Sequence, residues 1–279
     1  MTPAELLARF DAEMRIDPPA PSEPGVRYER VGSVVRAIGA WNAVVFARLT
    51  PDDADAVIAD QVAFFRSLAG GVVPGADAGA IEWKVYGHDL PADLGARLAA
   101  AGFEPDEPET LAVFDLGTEL REGPDTGAAG PEEVEIRQVG DEAAFADFIA
   151  AGAAAFGRDV NEQKTRIGRE LKAWLSDPAL ALYVAYARGR AVASARAEFP
   201  PGRSFAGLWG GGTIAEYRGR GIYRALVQAR AREARRRGYR FLRVDARETS
   251  RPILERLGFL ALTTVIEWRL PLPPAARPA

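Results

Sequence analysis

Two stretches of this 279-residue chain repeat one order of elements, and that repeat narrows the folds open to it. In the first half, IEWKVY…LAAAGF…TLAVFDL reads as strand, helix, Gly-Phe and strand. In the second half, FLRVDA…LERLGF…TTVIEWRL reads the same way. The strand runs are rich in β-branched and aromatic residues, and each helix stops at a glycine. The helix of the first copy is expected to be about a turn longer. A strand–helix–strand unit met twice implies duplication. At roughly 100–200 residues per domain, the expectation is two related halves. The first occupies residues 1–116, GTELREGPDTGAAGPEE (117–133) is a Gly-rich linker, the second half is 134–270, and the Pro-rich tail 271–279 is loose. The fold class is then α/β (α+β), each half a mixed, largely antiparallel twisted sheet flanked by helices.

The other segments fit this frame. VRYERV, SVVRAIG and NAVVFARL read as strands, Thr50-Pro51 opens a helix to Leu68, and Asp89-Leu90-Pro91 opens the helix of the first copy. In the second half VEIRQV is a strand and Asp141 caps a helix through Phe156. A helix is expected from Gln163 to Leu175, and ALYVAYA and AVASARAEF form a hairpin. SFAGLWGGGT is a strand whose end dissolves into glycines. A strong helix then runs from Ile222 to Arg237. Its inner face is expected to hold Ile222, Ala225, Leu226, Ala229 and Ala234, with Arg224, Gln228, Arg232 and Arg235 outside.

Composition removes several function classes. With no Cys and one His, the chain has no thiol nucleophile and no disulfide. Neither a thiolate nor a multi-histidine metal site is possible, and no metal is expected. A Ser-His-Asp triad could rest only on His88, which reads most simply as a turn residue. A net charge of −4 leaves no global basic excess for a nucleic-acid backbone, so Arg235-Arg236-Arg237 reads as a solvated helix end at the negative pole of its dipole. Neither the acidic start, MTPAELLARFDAEMRID, nor the stretch AAFADFIAAGAAAF, interrupted by Asp147, suits a signal peptide or a bilayer span. The expectation is a soluble, cytoplasmic protein with no membrane partner.

Chemistry concentrates in WGGGTIAEYRGRGIYRAL, 209–226. A strand ends, glycines and arginines follow, and a helix starts near Gly221. The start of a helix exposes unpaired N–H groups at the positive end of the dipole. Gly219 and Gly221, without a Cβ, let a ligand's oxygens approach the main chain. Arg218, Arg220 and Arg224 add charge complementary to a pyrophosphate. The segment has no Lys for a nucleoside-triphosphate loop, and Gly219-Arg220-Gly221 followed by Ile222-Tyr223-Arg224 is not the dinucleotide fingerprint.

This arrangement resembles the GNAT superfamily of acyl-CoA-dependent N-acyltransferases. Arg218-Gly219-Arg220-Gly221-Ile222-Tyr223 is similar to the family's Q/R-x-x-G-x-G/A loop, departing at the last place, where Tyr223 stands for Gly or Ala. The resemblance covers roughly 134–270 and extends weakly to the first half as a degenerate copy. It implies acetyl-CoA, or another acyl-CoA, as cosubstrate. Arg218, Gly219, Arg220, Gly221, Ile222 and Tyr223 would hold the pyrophosphate, Thr213 and Ile214 would offer backbone groups to the pantetheine arm, and Ser250 would touch the same cofactor. The implied acceptor is a primary amine, on a small molecule or a peptide N-terminus.

Direct attack on a thioester needs a neutral amine and hence a base. The candidates are Glu198 and Asp245, at strand ends. The leaving thiolate needs little help, its thiol pKa being about 8.5. Many relatives place a Tyr acid where this chain has Leu254, so Tyr223, Ser250 or solvent would serve here. Trp209 and Trp174 are candidates for an acceptor pocket or for the core, and Glu216 and Tyr217 lie in the loop itself. The rival reading is a non-catalytic acyl-CoA-binding sensor with the first half as an interaction module. A nucleic-acid-binding protein using Arg218 to Arg240 is a third.

Overall fold

A computed structural model describes residues 1–21, 25–68, 79–121, 134–159 and 175–272. Most of the expected linker, most of the expected 163–175 helix with Trp174, and most of the tail lie outside these residues. In chain order the elements are α1 (Pro3–Phe10), β1 (Val26–Val31), β2 (Val34–Gly39), β3 (Ala43–Ala47), α2 (Ala54–Leu68), β4 (Ala80–Tyr86), α3 (Leu94–Ala100), β5 (Glu104–Pro105) and β6 (Glu109–Asp115). Then come β7 (Val134–Gln138), α4 (Glu142–Phe156), β8 (Leu180–Ala187), β9 (Arg190–Glu198), β10 (Phe205–Thr213), α5 (Ile222–Arg236), β11 (Phe241–Ala246), α6 (Arg251–Leu257) and β12 (Leu260–Pro271). A π-helical turn, Asp11–Ile16, extends α1. No helix among the described residues is long and apolar enough to cross a membrane.

The chain forms two compact units. One holds Met1–Leu111, Asp245–Thr249 and Ala261–Ala279; the other holds Ala112–Val244 and Ser250–Leu260. Neither is one continuous piece of sequence. The end of β6, last strand of the first repeat, counts with the second unit, and nearly all of β12, last strand of the second repeat, counts with the first.

In the first unit the strands run β1-β2-β3-β4-β12, antiparallel except for the parallel pair β3 and β4. On one sheet face Val34, Ile81, Trp83, Trp268 and Leu270 pack against Ile58 and Phe65 of α2 and Leu94 and Leu98 of α3. The opposite face carries Arg15, which is buried, bonds Asp11 at 2.9 Å and Asp89 at 2.6 Å, and lies 3.9 Å from the Tyr86 ring centre. His88 joins that cluster through Asp11 at 2.8 Å, which makes it a structural residue that ties down the α1 extension.

The second unit runs β11-β10-β9-β8-β7, antiparallel except for β10 and β11. All of β8 is buried. On one side Leu182, Val184 and Tyr186 meet Phe145 and Ile149 of α4, whose N-cap Asp141 accepts a hydrogen bond from Ala144 N at 2.8 Å. The arginine run at the end of α5 is spent internally: Arg236 and Arg237 each bond Glu233 at 2.6 Å, holding its carboxyl down to about 2, and Arg235 donates to Leu116 O at 3.0 Å.

The two repeats correspond closely. α3 and α6 each have seven residues, so the extra turn expected in the first copy is not helical. Asp89–Asp93 is spent on a turn that contains the cis Leu90–Pro91 bond. Both helices close with the same bond: Phe103 N donates to Leu98 O and Phe259 N to Leu254 O, each at 3.0 Å, with the phenylalanine buried behind it.

Pairing of β4 with β12 places Glu267 opposite Lys84 and Arg269 opposite Glu82 on one face of the first unit. Partial burial, then the Glu82 charge, pushes the Glu267 carboxyl up to about 7; Lys84 and Arg269 oppose the shift, and Asp106 adds to it. A carboxyl that holds its proton more tightly when folded than unfolded favours folding below about pH 4.5, and this contribution is lost as pH rises through about 7. Glu267→Gln should therefore flatten the fall in stability between those limits and leave the variant more stable than the parent at pH 8, as measured by urea unfolding at several pH values.

Candidate functional site

The site is built on β10. It pairs in parallel with β11 over only three residues, Phe205–Gly207 against Phe241–Arg243, and beyond them the paired register ends. On its other edge Trp209 faces Arg196 and Gly212 faces Ser194, so Gly210 and Gly211 stand opposite the single residue Ala195. That is a β-bulge, with one residue more on β10 than on β9.

Gly211, without a side chain, lets its neighbours close on the bulge. A Cβ on it would lie 3.0 Å from Tyr223 Cε2 and 3.4 Å from Arg230 Nη2. This close approach also explains the departure at Tyr223: the ring occupies space that a side chain at 211 would need. The Tyr223 phenol is hydrogen-bonded to the Ser250 hydroxyl, and burial raises its pKa, so it remains a neutral proton donor. Ser250 sits at the N-cap position of α6 without a side-chain cap bond; its hydroxyl goes to Tyr223 instead.

The loop to α5 follows. Gly221 is the N-cap of α5 with φ +77°, no side chain caps the helix, and its first turn holds no acid. Gly219 has φ +75°, and a Cβ on it would meet nothing within 4 Å. Glycine is thus required at both places by the left-handed backbone, and the space beside Gly219 is open. Arg218 is used differently from the expectation of a free cation: its Nε donates to Thr213 O at 3.1 Å and its Nη2 to Ala155 O at 3.2 Å, fastening the loop to the ends of β10 and α4. Arg220 donates to Glu216 O at 3.1 Å and lies 4.8 Å from the Tyr217 ring centre.

The second unit therefore brings together Thr213, Ile214, Arg218, Gly219, Arg220, Gly221, Ile222, Tyr223 and Ser250. The backbone of Ile214 is already engaged, its N–H with Val192 O and its C=O with Tyr217 N, both at 3.0 Å. The residues released from strand register are Gly210 and Gly211, which the sequence argument passed over; the run of three glycines was the available signal. Glu198 pairs with Arg196 at 3.0 Å. Trp209 packs between arginines, 5.9 Å from Arg196 and 4.6 Å from Arg243. Asp245 counts with the first unit, where its almost fully buried carboxylate bonds Lys84 Nζ at 2.5 Å, and its charge helps raise the Glu109 carboxyl after burial. Leu254 is fully buried. Among the described residues no group of three or more His, Cys, Asp or Glu could hold a metal ion.

The α5 stripe differs from the sequence expectation. Its buried residues are Ile222, Leu226, Val227, Arg230, Ala231 and Ala234, whereas Ala225 and Ala229 are only partly buried. Arg230, which the sequence argument assigned to neither face, lies in the middle of the buried face.

No curated protein matches the chain by sequence. Solved structures share its fold. A GCN5-related N-acetyltransferase from Kribbella flavida aligns with TM-score 0.64 and 14% identity, over 89% of this chain and 91% of that one. A functionally unknown conserved protein from Staphylococcus epidermidis aligns with TM-score 0.65 and 13% identity, over 94% and 98%. A tandem GNAT protein from the clavulanic acid biosynthesis pathway aligns with TM-score 0.60 and 14% identity, over 99% and 96%. At the level of sequence, residues 150–259 match the acetyltransferase (GNAT) family. With the bulged strand, the short pairing of β10 with β11 and the uncapped glycine loop all inside that stretch, the chain carries a GNAT acetyltransferase domain at 150–259.

Proposed function

We propose that this protein transfers an acyl group, most simply acetyl, from acyl-CoA to a primary amine, and that the amine belongs to a small molecule or a peptide N-terminus. The observation that carries the reading is the N-terminus of α5. It has no side-chain cap and no first-turn acid, it begins at a left-handed glycine, and it has open space beside Gly219. A helix start without a side-chain cap, with the positive end of its dipole behind it, suits a pyrophosphate. The strand just before it loses register at Gly210–Gly211 and pairs with β11 over only three residues, which suits an extended pantetheine arm.

In the reaction the amine nitrogen attacks the thioester carbonyl, the N–C bond forms and the C–S bond breaks. The amine loses its proton, and the thiolate leaves or is protonated. Backbone N–H groups in the bulge are suited to the developing oxyanion. Tyr223, in the first turn of α5 and held neutral by burial, is the candidate proton donor. Glu198 and Asp245 stay as candidates for the base, and each would have to act from within its ion pair. Those pairs, together with the fully buried Leu254, favour one rival: a protein that binds acyl-CoA without turnover. Use of an acyl-CoA would suit a cytoplasmic location for either activity. Release of free thiol from acetyl-CoA across a panel of amines and peptides separates the two, because binding without amine-dependent release would leave only the sensor.

Gly221→Glu introduces bulk and negative charge at the helix start. It should abolish acetyl-CoA binding in calorimetry while circular dichroism shows a folded chain; unchanged affinity would overturn the loop assignment. Leu254→Ala should cost about 2–5 kcal/mol in denaturant unfolding and leave the alkaline limb of the pH–rate profile where it is, since no proton donor is removed.

The first unit is read as a degenerate copy that binds no acyl-CoA. The helix matching α5 is α2, and its start is closed by its own side chains: Thr50 N donates to Asp53 Oδ1 at 2.7 Å and Asp53 N to Thr50 Oγ1 at 3.3 Å. Asp52, Asp53 and Asp55 stand where the second copy has arginines, and each would repel a phosphate by ~1 kcal/mol at 4 Å in water. Titration of the intact chain with acetyl-CoA should give a stoichiometry near one; two equivalent sites would contradict the degenerate copy.

A further inference from the structure

Arg230 is a charge that neither the fold nor the proposed reaction has yet used. It lies on the buried face of α5 and is only 1% exposed. Its Nε donates to Leu226 O at 3.0 Å, one turn back, and its Nη1 to Arg196 O on β9 at 3.2 Å. Nη2 has no hydrogen-bond partner among the described residues and is turned to the bulge, 3.4 Å from where a Cβ of Gly211 would be. No carboxylate among those residues pairs with it. Its electrostatic neighbours are the phenols of Tyr223 and Tyr183; burial holds both neutral, that of Tyr183 being pushed up to about 12.

A buried guanidinium without a counter-ion carries a large desolvation penalty, and it cannot escape by losing its proton. An apolar residue of similar length would fill the α5 stripe at no such cost. What a cation here can do that Met cannot is act on negative charge, and the orphan N–H points to where that charge would be. We propose that Arg230 is a positioning residue for acyl transfer: it braces the β10 bulge from behind and supplies an uncompensated positive charge that favours the anion developing on the thioester carbonyl. The neighbouring glycine is part of this arrangement, since any side chain at 211 would stand between the guanidinium and the strand.

This inference rests on the acyl-CoA reading and deepens it, so its test uses binding rather than turnover. S-carboxymethyl-CoA carries a carboxylate next to the carbonyl position, and S-ethyl-CoA has nearly the same shape with no charge on its S-substituent. Arg230→Met should weaken S-carboxymethyl-CoA binding by roughly 30-fold, as expected when one partner of a buried charge interaction is removed, and leave S-ethyl-CoA affinity within about threefold. Arg230→Lys, which restores the charge, should recover most of the loss. Equal loss on both analogues, or no loss on either, in a folded Arg230→Met protein would overturn the proposal. Unfolding of both variants would also overturn it, by making Arg230 a residue of the fold alone. Failure of the unaltered protein to bind either analogue would instead remove the acyl-CoA reading itself.

Discussion

Between Trp209 and Gly212, β10 carries one residue more than its partner β9, and the surrounding side chains would crowd a Cβ at 211. On one side of the strand, the Tyr223 ring and the Arg230 guanidinium stand within van der Waals reach of any Cβ at 211. At 212 the Phe156 ring at the end of α4 does the same, at 2.9 Å. The bulge is therefore clamped between two helices. One face of β10 sets where α5 starts and the other sets where α4 ends. The arginine that closes the loop, Arg218, bonds the carbonyls of Thr213 and Ala155, the ends of those same two elements. Bulge, loop and helix start form one mechanical unit, and the site's geometry follows from it.

Comparison of the two repeats shows how small a chemical change separates an uncapped helix start from one closed by its own side chains. Both copies have a parallel strand pair flanking a long helix, β3 with β4 and β10 with β11. Both end their short helix on the same backbone bond to a buried phenylalanine. The difference lies at the first turn of the long helix. Thr50 and Asp53 exchange two hydrogen bonds and complete the helix from within. Gly221 offers no side chain, so the first turn of the second copy's helix has no side-chain cap of that kind.

An arginine-rich chain hides its informative arginines. Lys+Arg number 35, and most of those described are consumed by carboxylates, carbonyls or rings: Arg15 by Asp11, Asp89 and Tyr86, Arg36 by Glu29 and the Phe64 ring, and Arg237 by Glu233 and the Phe199 ring. Measured against them, Arg230 differs in kind. It is buried more completely than any of these, and its neighbours are phenols and main-chain carbonyls rather than acids.

Local patterns were legible in the sequence because they depend on neighbours in the chain. Strand alternation, the Asp141 cap, the Gly-Phe helix ends and the glycines of the α5 loop are all set by residues within a few positions of one another, and the duplication followed from their order. The sequence could not show which unit receives each repeat's last strand, since strand pairing is decided between segments far apart: nearly all of β12 counts with the first unit and the end of β6 with the second. Nor could it orient α5, because the pattern argument assigned Arg230 to neither face, and only packing against β9 and β10 shows Arg230 to be inside. The same holds for Tyr223. As a letter it breaks the expected loop, and in three dimensions it fits because Gly211, twelve residues earlier, leaves the space its ring occupies.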